Sequence, residues 1–380
     1  MPALKIALLG GYAGDGLLSI NRYQRELARE LGALNGSSGS IEVTPFTPNP
    51  AAWVNRWSST GPIGARMASY WTRFVVYPRQ LPRSDDAIYH LLDQSLSYLV
   101  KWLDPARTVV TCHDILHFPL WRERRRTSPL PWFSDRLYRF CVGGIPKCAA
   151  VVADSNNTKG DLVRYLGCDP NRIKVVYGGI SPEFFQPMNP ERLADIRLQL
   201  NLPDGFVLLH VGATSFYKNI EGLLQAFALL RRRVRFPVTL VRAGSVFTRA
   251  QRLLAARLGV TGSVREIGIQ NDEMLVQLNH LADCFVFPSL YEGFGFPPLE
   301  AMACGTPVVA SNRGSLPEIL GEAALLVDPG KPEEIAEALR RILEEKDLKA
   351  RLREQGLQRA HSFPWDRTAR ELAAVYRGIS

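Results

Sequence analysis

Six cysteines in 380 residues include no Cys-x2-Cys pair, and the closest two, Cys141 and Cys148, are seven apart. That spacing excludes a zinc ribbon and a thioredoxin-like redox site and leaves six buried, reduced thiols as the expectation, as in a cytoplasmic protein. No uncharged stretch reaches the roughly 18–20 apolar residues that a membrane span needs. The apolar run at the N-terminus is too short for a signal peptide and reads as a first strand entering a glycine turn. Repeats of 20–50 residues and low-complexity tracts are missing as well. Acid is in short supply, with 37 Asp+Glu against 46 Lys+Arg, so the net charge is +9. What is present is an ordinary globular composition, 46% apolar and 22% charged. The length points to two domains.

Short continuous apolar runs organise the chain. Residues 4–9 read as a buried strand, followed by Gly10, Gly11, Gly14 and Gly16 and a helical pattern from Asn21 to Leu34. A second strand falls at 41–46, and further short apolar runs at 87–91, 107–111 and 149–153. Runs that are continuous rather than alternating suit a parallel sheet covered on both faces. The texture changes over 186–204, a stretch read as a linker in which Gln186-Pro-Met-Asn-Pro190 precedes a short helix. From Phe206 onward strands and helices alternate regularly to about residue 343, the pattern of a doubly wound α/β domain whose ligands bind beyond the carboxyl ends of its strands. The expected domains are 1–186 and 204–361, with a last helix in 362–380.

One stretch carries most of the chemical information. A strand ending at Phe287 leads through Tyr-Glu292-Gly-Phe-Gly295 into a helix near Pro298. Exposed N–H groups ahead of a helix opened by proline form an anion-binding end. Glu292 in the loop and Glu300 in the helix can each hold a pair of sugar hydroxyls, while the amides of Phe294 and Gly295 can meet charged oxygens. Taken alone, the same residues also fit a plain strand–helix turn with a capping glutamate.

The wider context narrows this. Glu292-Gly-Phe-Gly…Glu300-Ala-Met-Ala-Cys-Gly-Thr-Pro, with seven residues between its two glutamates, resembles the signature of retaining glycosyltransferase family 4. So do Gly314-Ser-Leu-Pro-Glu, Ala324-Leu-Leu-Val-Asp-Pro, Tyr177-Gly-Gly-Ile, Val211-Gly with Lys218-Asn, and Val152-Ala-Asp-Ser. The resemblance implies a GT-B fold, two Rossmann-like doubly wound domains facing a central cleft. The first would bind the acceptor and the second a nucleotide sugar, with the last helix crossing back to the first domain. It further implies that Glu300 binds the ribose hydroxyls and that Glu292, with Phe294 and Gly295, holds the transferred sugar. Lys218 would pair with the diphosphate, Gly268 and Ile269 would read the base through their backbone, and Gly10 and Gly11 would let phosphate and acceptor approach closely. His113, followed by Asp114, would face the donor sugar near its reacting end. The implied donor is a GDP- or UDP-linked sugar, with no cofactor and no dedicated metal.

This sequence departs from the family at one point. The arginine that usually accompanies the lysine is absent, because Ala213 and Tyr217 stand where it would be. Arg242, ending the next strand, is a substitute if its side chain turns into the cleft. His113 and His117 are four apart, but no third ligand accompanies them and Asp114 replaces the glutamate of His-Glu-x-x-His, so a zinc site is not expected. Ser84-Asp85-Asp86 is read as loop rather than as an acidic metal motif.

Charge completes the expectations. Arg122, Arg124, Arg125 and Arg126, beside Trp121, Trp132 and Phe133, suit peripheral contact with anionic lipid at the inner face of the cell membrane. Arg231–Arg235 form a second basic cluster. No nucleic-acid motif accompanies either. The expected activity is transfer of a hexose, with mannose one candidate, to a glycan or lipid-linked acceptor in cell-surface polysaccharide synthesis. The alternative is a non-catalytic sugar-nucleotide-binding subunit of a glycan assembly complex.

Overall fold

The structure, a computed structural model, describes residues 3–11, 18–34, 40–58, 60–120, 131–268 and 271–379. It contains two six-stranded sheets, and every strand pairing within them is parallel. The first comprises β1 (Leu4–Leu9), β2 (Ile41–Phe46), β3 (Ile88–Leu91), β4 (Thr108–Cys112), β5 (Ala150–Ala153) and β6 (Ile173–Val175), in the order β2-β1-β3-β4-β5-β6. The second comprises β7 (Phe206–Gly212), β8 (Val238–Gly244), β9 (Val264–Ile267), β10 (Cys284–Phe287), β11 (Val308–Ser311) and β12 (Ala324–Val327), in the order β12-β11-β10-β7-β8-β9. Residues in β3, β4, β5, β10 and β11 are buried throughout. That is why these strands read as unbroken apolar runs: helices cover both faces of a parallel sheet. In each sheet the chain reverses direction beside its first strand. The resulting switch points, β1/β3 and β7/β10, are where such folds open a crevice for ligands.

The chain divides into two compact units, Met1–Gly179 with Trp365–Ser380, and Ile180–Pro364. The division therefore falls ahead of the expected linker at 186–204. The prolines there belong to a helix start: Asn189 caps the helix Pro190–Gln199 by accepting from the Glu191 N–H at 2.9 Å, with Pro190 in its first turn. That helix packs on Asp272–Leu281 in the second unit. Ile180 and Pro364 form a parallel bridge, with the Ile180 N–H donating to the Phe363 carbonyl at 2.8 Å. The helix Trp365–Arg377 belongs to the first unit. There His90 Nδ1 lies 2.6 Å from the Tyr376 hydroxyl, and Thr368 Oγ1 donates to the Tyr177 carbonyl at 2.7 Å.

Each unit has its own core. In the second, Leu208, Leu240, Cys284 and Val286 on the sheet meet Leu223, Phe227, Leu339 and Ile342 on the helices Ile220–Arg233 and Pro332–Glu344. Arg231, Arg232 and Arg233 occupy the last turn of the former helix, opposite Glu221 in its first. Part of the second basic cluster is thus charge complementing a helix dipole. All six cysteines are buried and free, and burial pushes their thiols up, Cys148 to about 12 and Cys141 to about 11. Asp86 pairs with Lys5 at 2.8 Å in its loop. No helix among the described residues is long and apolar enough to cross a membrane.

Candidate active site

In the second unit, the two strands flanking the switch point deliver Lys218 and Glu292. The loop after β7 carries Lys218, and the loop after β10 carries Glu292. Lys218 Nζ donates to Glu292 Oε1 at 2.7 Å, and both side chains are nearly enclosed, 11% and 13% exposed. The ammonium also lies over the Phe287 ring, 4.6 Å from its centre, and 5.4 Å from that of Tyr217. Asn219, in the left-handed conformation, anchors this loop. Its Nδ2 donates to the carbonyls of Pro288 (3.1 Å) and Pro329 (2.7 Å), while its Oδ1 accepts from the Gly222 N–H (3.3 Å) and caps the next helix. A single asparagine thereby ties the Lys218 loop to the ends of β10 and β12.

Glu292 is held from its backbone. Its carbonyl accepts from the Ser315 N–H at 3.2 Å, and Ser315 Oγ lies 3.0 Å from the Glu292 carbonyl and 2.8 Å from that of Phe294. Gly295 caps the helix Phe296–Ala303. That helix opens slightly earlier than expected, so Glu300 is its fifth residue rather than part of its first turn. Glu300 is buried. Gly268 accepts from the Gly244 N–H at 3.3 Å, and nothing lies within 4 Å of where a Cβ would sit on it. Ile269 lies outside the described residues.

Arg242 departs from a surface role. Only 1% of it is exposed, its Nη1 donates to the Ala243 carbonyl at 3.2 Å, and its Nε and Nη2 have no hydrogen-bond partner among the described residues. Burial lowers its pKa to about 10, and the Glu266 charge acts in the opposite direction. His210 stands beside it in the register of β7 and β8 and is also fully buried, with neither ring nitrogen partnered. Burial, then the charges of Arg242 and Lys218, push His210 far below the usual histidine range, so it is neutral. Arg242, His210 and Lys218 thus form a run of basic groups behind the β7 loop. Sequence reasoning missed His210, whose signal was a histidine inside an otherwise apolar strand.

In the first unit Gly10 is buried, its N–H donates to the Phe46 carbonyl (2.9 Å), and its own carbonyl accepts from the Tyr77 hydroxyl (2.6 Å). A Cβ there would strike Gln24 Oε1 at 2.2 Å, so any other residue at this position requires the Gln24 amide, the far end of a flexible side chain, to move. Gly11 is buried beside it, and Gly14 and Gly16 lie outside the described residues.

His113 follows β4. Its Nδ1 lies 2.6 Å from Asp154 Oδ2 and its Nε2 2.9 Å from the Leu92 carbonyl. Burial opposes the charged form, yet the Asp154 charge and hydrogen bond, aided by Asp93 and the Leu92 carbonyl, raise the pKa to about 9. His117 does not share a site with it, because its Nε2 faces Asp135 at 3.1 Å. Asp154 was quoted only as part of a motif. A carboxylate directly after four buried strand residues was the available sign of a special role.

Two parallel six-stranded Rossmann-like units, with Lys218 and Glu292 at a switch point, define a GT-B glycosyltransferase. Residues 20–184 match the family described as Glycosyltransferase Family 4, and residues 194–359 match Glycosyl transferases group 1. With both halves matched, the chain belongs to glycosyltransferase family 4. It is 29% identical to the O-antigen chain mannosyltransferase B of Escherichia coli over 77% of this chain and 74% of that one. It is 37% identical to a D-inositol 3-phosphate glycosyltransferase of Salinispora arenicola over 60% of this chain, spanning about half (54%) of that relative's length. The solved structure of HepE from Anabaena in complex with UDP and glucose superposes with a TM-score of 0.70 at 20% identity, covering 98% of each chain.

Proposed function

We propose that this glycosyltransferase moves a hexose from a nucleoside diphosphate sugar to a hydroxyl of a glycan or lipid-linked acceptor, with retention at the anomeric carbon. The observation that carries this reading is the Lys218–Glu292 pair at 2.7 Å beside the amide-lined start of the Phe296–Ala303 helix. An arriving diphosphate takes Lys218, which frees Glu292 to hold the transferred sugar with the amides of Phe294 and Gly295 and leaves Glu300 for the ribose. Gly268 and Ile269 contact the base, Gly10 and Gly11 line the phosphate approach, and His113 faces the donor sugar. The bond from the anomeric carbon to the phosphate oxygen breaks, and the acceptor oxygen attaches on the same face. The acceptor proton passes to an oxygen of the departing nucleoside diphosphate. HepE was solved with UDP and glucose, which supports a nucleotide-sugar donor. The O-antigen mannosyltransferase relative favours mannose and a cell-surface polysaccharide product. The test is a panel of GDP- and UDP-sugars, read by nucleoside diphosphate release with and without extracted lipid acceptors. Silence across the panel despite measurable donor binding would favour a non-catalytic sugar-nucleotide-binding subunit, a reading that the residues Ala213 and Tyr217 keep in play.

The position of Arg242 changes how it would serve a donor. Enclosed behind the loop, it acts on the diphosphate through its charge rather than as a surface clamp. Arg242→Ala is expected to weaken nucleoside diphosphate binding about tenfold, the effect of roughly 1.4 kcal/mol. Unchanged affinity in a calorimetric titration would remove Arg242 from the donor site.

Peripheral contact with an anionic bilayer at the inner face of the membrane is part of the same proposal. Arg122, Arg124, Arg125 and Arg126 lie outside the described residues. On the adjoining helix Pro131–Val142, Trp132 (65%) and Phe133 (47%) are exposed. Nearby, Lys101, Arg139 and Lys147 line one groove together with Tyr98 and Phe140. Exposed aromatics interleaved with cations suit a lipid headgroup layer. Neutralising Lys101, Arg139 and Lys147 together is expected to cut cosedimentation with phosphatidylglycerol vesicles at least tenfold. Undiminished vesicle binding by that variant, and by one neutralised at the four arginines, would exclude this face as the contact.

A further inference from the structure

The ends of β3, β4 and β5 lie side by side, and each contributes one group to a compact cluster. In the sheet order, His113 after β4 stands between Leu92 after β3 and Asp154 after β5. Both partners of its ring, a carboxylate oxygen and a backbone carbonyl oxygen, are acceptors only. A neutral imidazole carries one N–H and would leave its other nitrogen lone pair facing an oxygen within 3 Å. With Asp154 ionised, two donors are required of the ring, so it carries two protons.

The remaining neighbours agree. The backbone N–H of His113 donates to Gln94 Oε1 at 3.1 Å, and Tyr23 from the helix Leu18–Ala33 packs edge-on against the ring with centres 5.2 Å apart. Asp154 is fully buried and its Oδ1 has no partner, so its hydrogen bonding is spent on His113. Asp93 adds a second negative charge. Three further titratable groups among the described residues face the cluster. Burial first, and the charge of Asp154 among the nearby carboxylates second, push the Tyr23 hydroxyl and the Cys112 thiol well up, so both stay neutral. His90 on β3 lies between Tyr376 and Thr111. Its pKa falls to about 3, through burial first and the His113 charge second. One histidine is charged and its neighbour neutral, the arrangement with least repulsion.

We propose that Asp154 is a positioning residue that holds His113 as an imidazolium with both N–H groups committed to the protein, so that His113 acts by fixed charge and never as a proton-transfer base. The catalytic consequence rests on the glycosyl-transfer reading above, whereas the protonation state does not. With His113 unable to accept a proton, the acceptor hydroxyl must lose its proton elsewhere, in keeping with the leaving phosphate as its destination.

The test combines a spectroscopic and a kinetic measurement on the full chain. In wild-type protein labelled with 15N at histidine, the His113 resonances, assigned with His113→Gln, are expected to show both nitrogens protonated and no titration between pH 6 and 8. Asp154→Asn removes the charge, so the His113 titration is expected to move into that window. Transfer by the variant should then fall severalfold as pH rises from 6 to 8, while the wild type stays flat with respect to this group. A single protonated nitrogen on wild-type His113 at pH 7 would overturn the proposal. So would an Asp154→Asn protein whose His113 stays doubly protonated and whose activity drops equally at every pH. Should Asp154→Asn not fold, the wild-type spectrum alone decides. Should no donor be turned over, the spectra still decide, and only the reading of the reaction falls.

Discussion

Lys218→Ala is expected to lower the turnover number for sugar transfer by about 10²–10³-fold, the loss typical when one preorganised donor to a developing negative charge is removed. Among the described residues, neither side chain behind its loop can replace it. His210 is driven neutral by burial first and by the charges of Arg242 and Lys218. Arg242 is 1% exposed and already gives one N–H to the Ala243 carbonyl. Removing the ammonium also leaves Glu292, with only 13% of its side chain exposed, without its cation, so some loss of stability accompanies the loss of activity. Glu292→Gln separates the two effects, because it removes the pair while keeping the ammonium. Nucleoside diphosphate should bind to Glu292→Gln at least as well as to the wild type, and much less well to Lys218→Ala. Steady-state rates and calorimetric titrations of the two folded variants check this. Turnover by Lys218→Ala within threefold of wild type would end the assignment.

Features set by local periodicity were legible in the sequence. The strands at 4–9, 206–211 and 284–287 stood out because parallel strands buried on both faces must be continuously apolar, whereas the edge strand Ile41–Phe46 carries Glu42 and Thr44 and is mostly exposed. β6 escaped notice because Ile173–Val175 is three residues long with Lys174 exposed at its centre. The short helix within the expected linker was legible from its Asn-Pro start, which Asn189 caps, whereas the division at Ile180 follows from which unit each segment packs on. Within the site, Glu292, Lys218 and His113 were found through motifs, but their working partners were not. Lys218 meets Glu292 across 74 residues and His113 meets Asp154 across 41. Pairings of that range depend on strand order, which hydrophobic pattern does not encode. The same limit applies to Arg242: its place on a strand was readable, but the enclosure of its side chain follows from the packing of β7, β8 and β9 and the segments that follow them.

Gly314→Ala is expected to disable the site from behind. Gly314 has φ +62°, and a Cβ there would lie 2.7 Å from the Glu292 carbonyl oxygen and 3.0 Å from its backbone nitrogen. Both are backbone atoms, so no side-chain rotation relieves the contact. The next residue, Ser315, supplies the N–H and hydroxyl that hold the Glu292 carbonyl, and an added methyl group must pull these apart or tilt Glu292 away from Lys218. The left-handed backbone and the overpacking together are expected to cost about 2–4 kcal/mol. A displacement of Glu292 by about 1 Å is enough to lower transfer by up to about 10²-fold. Gly167 is the internal control. It ends the helix Asn156–Leu166 in the left-handed conformation, φ +63°, but among the described residues nothing lies within 4 Å of its Cβ position. Gly167→Ala should therefore carry only the backbone cost, about 1–2 kcal/mol, and leave transfer intact. Thermal unfolding together with transfer rates for both variants decides between strain at any left-handed residue and support of Glu292 in particular. Equal destabilisation with full activity in both would show that the close approach at Gly314 does not set the position of Glu292.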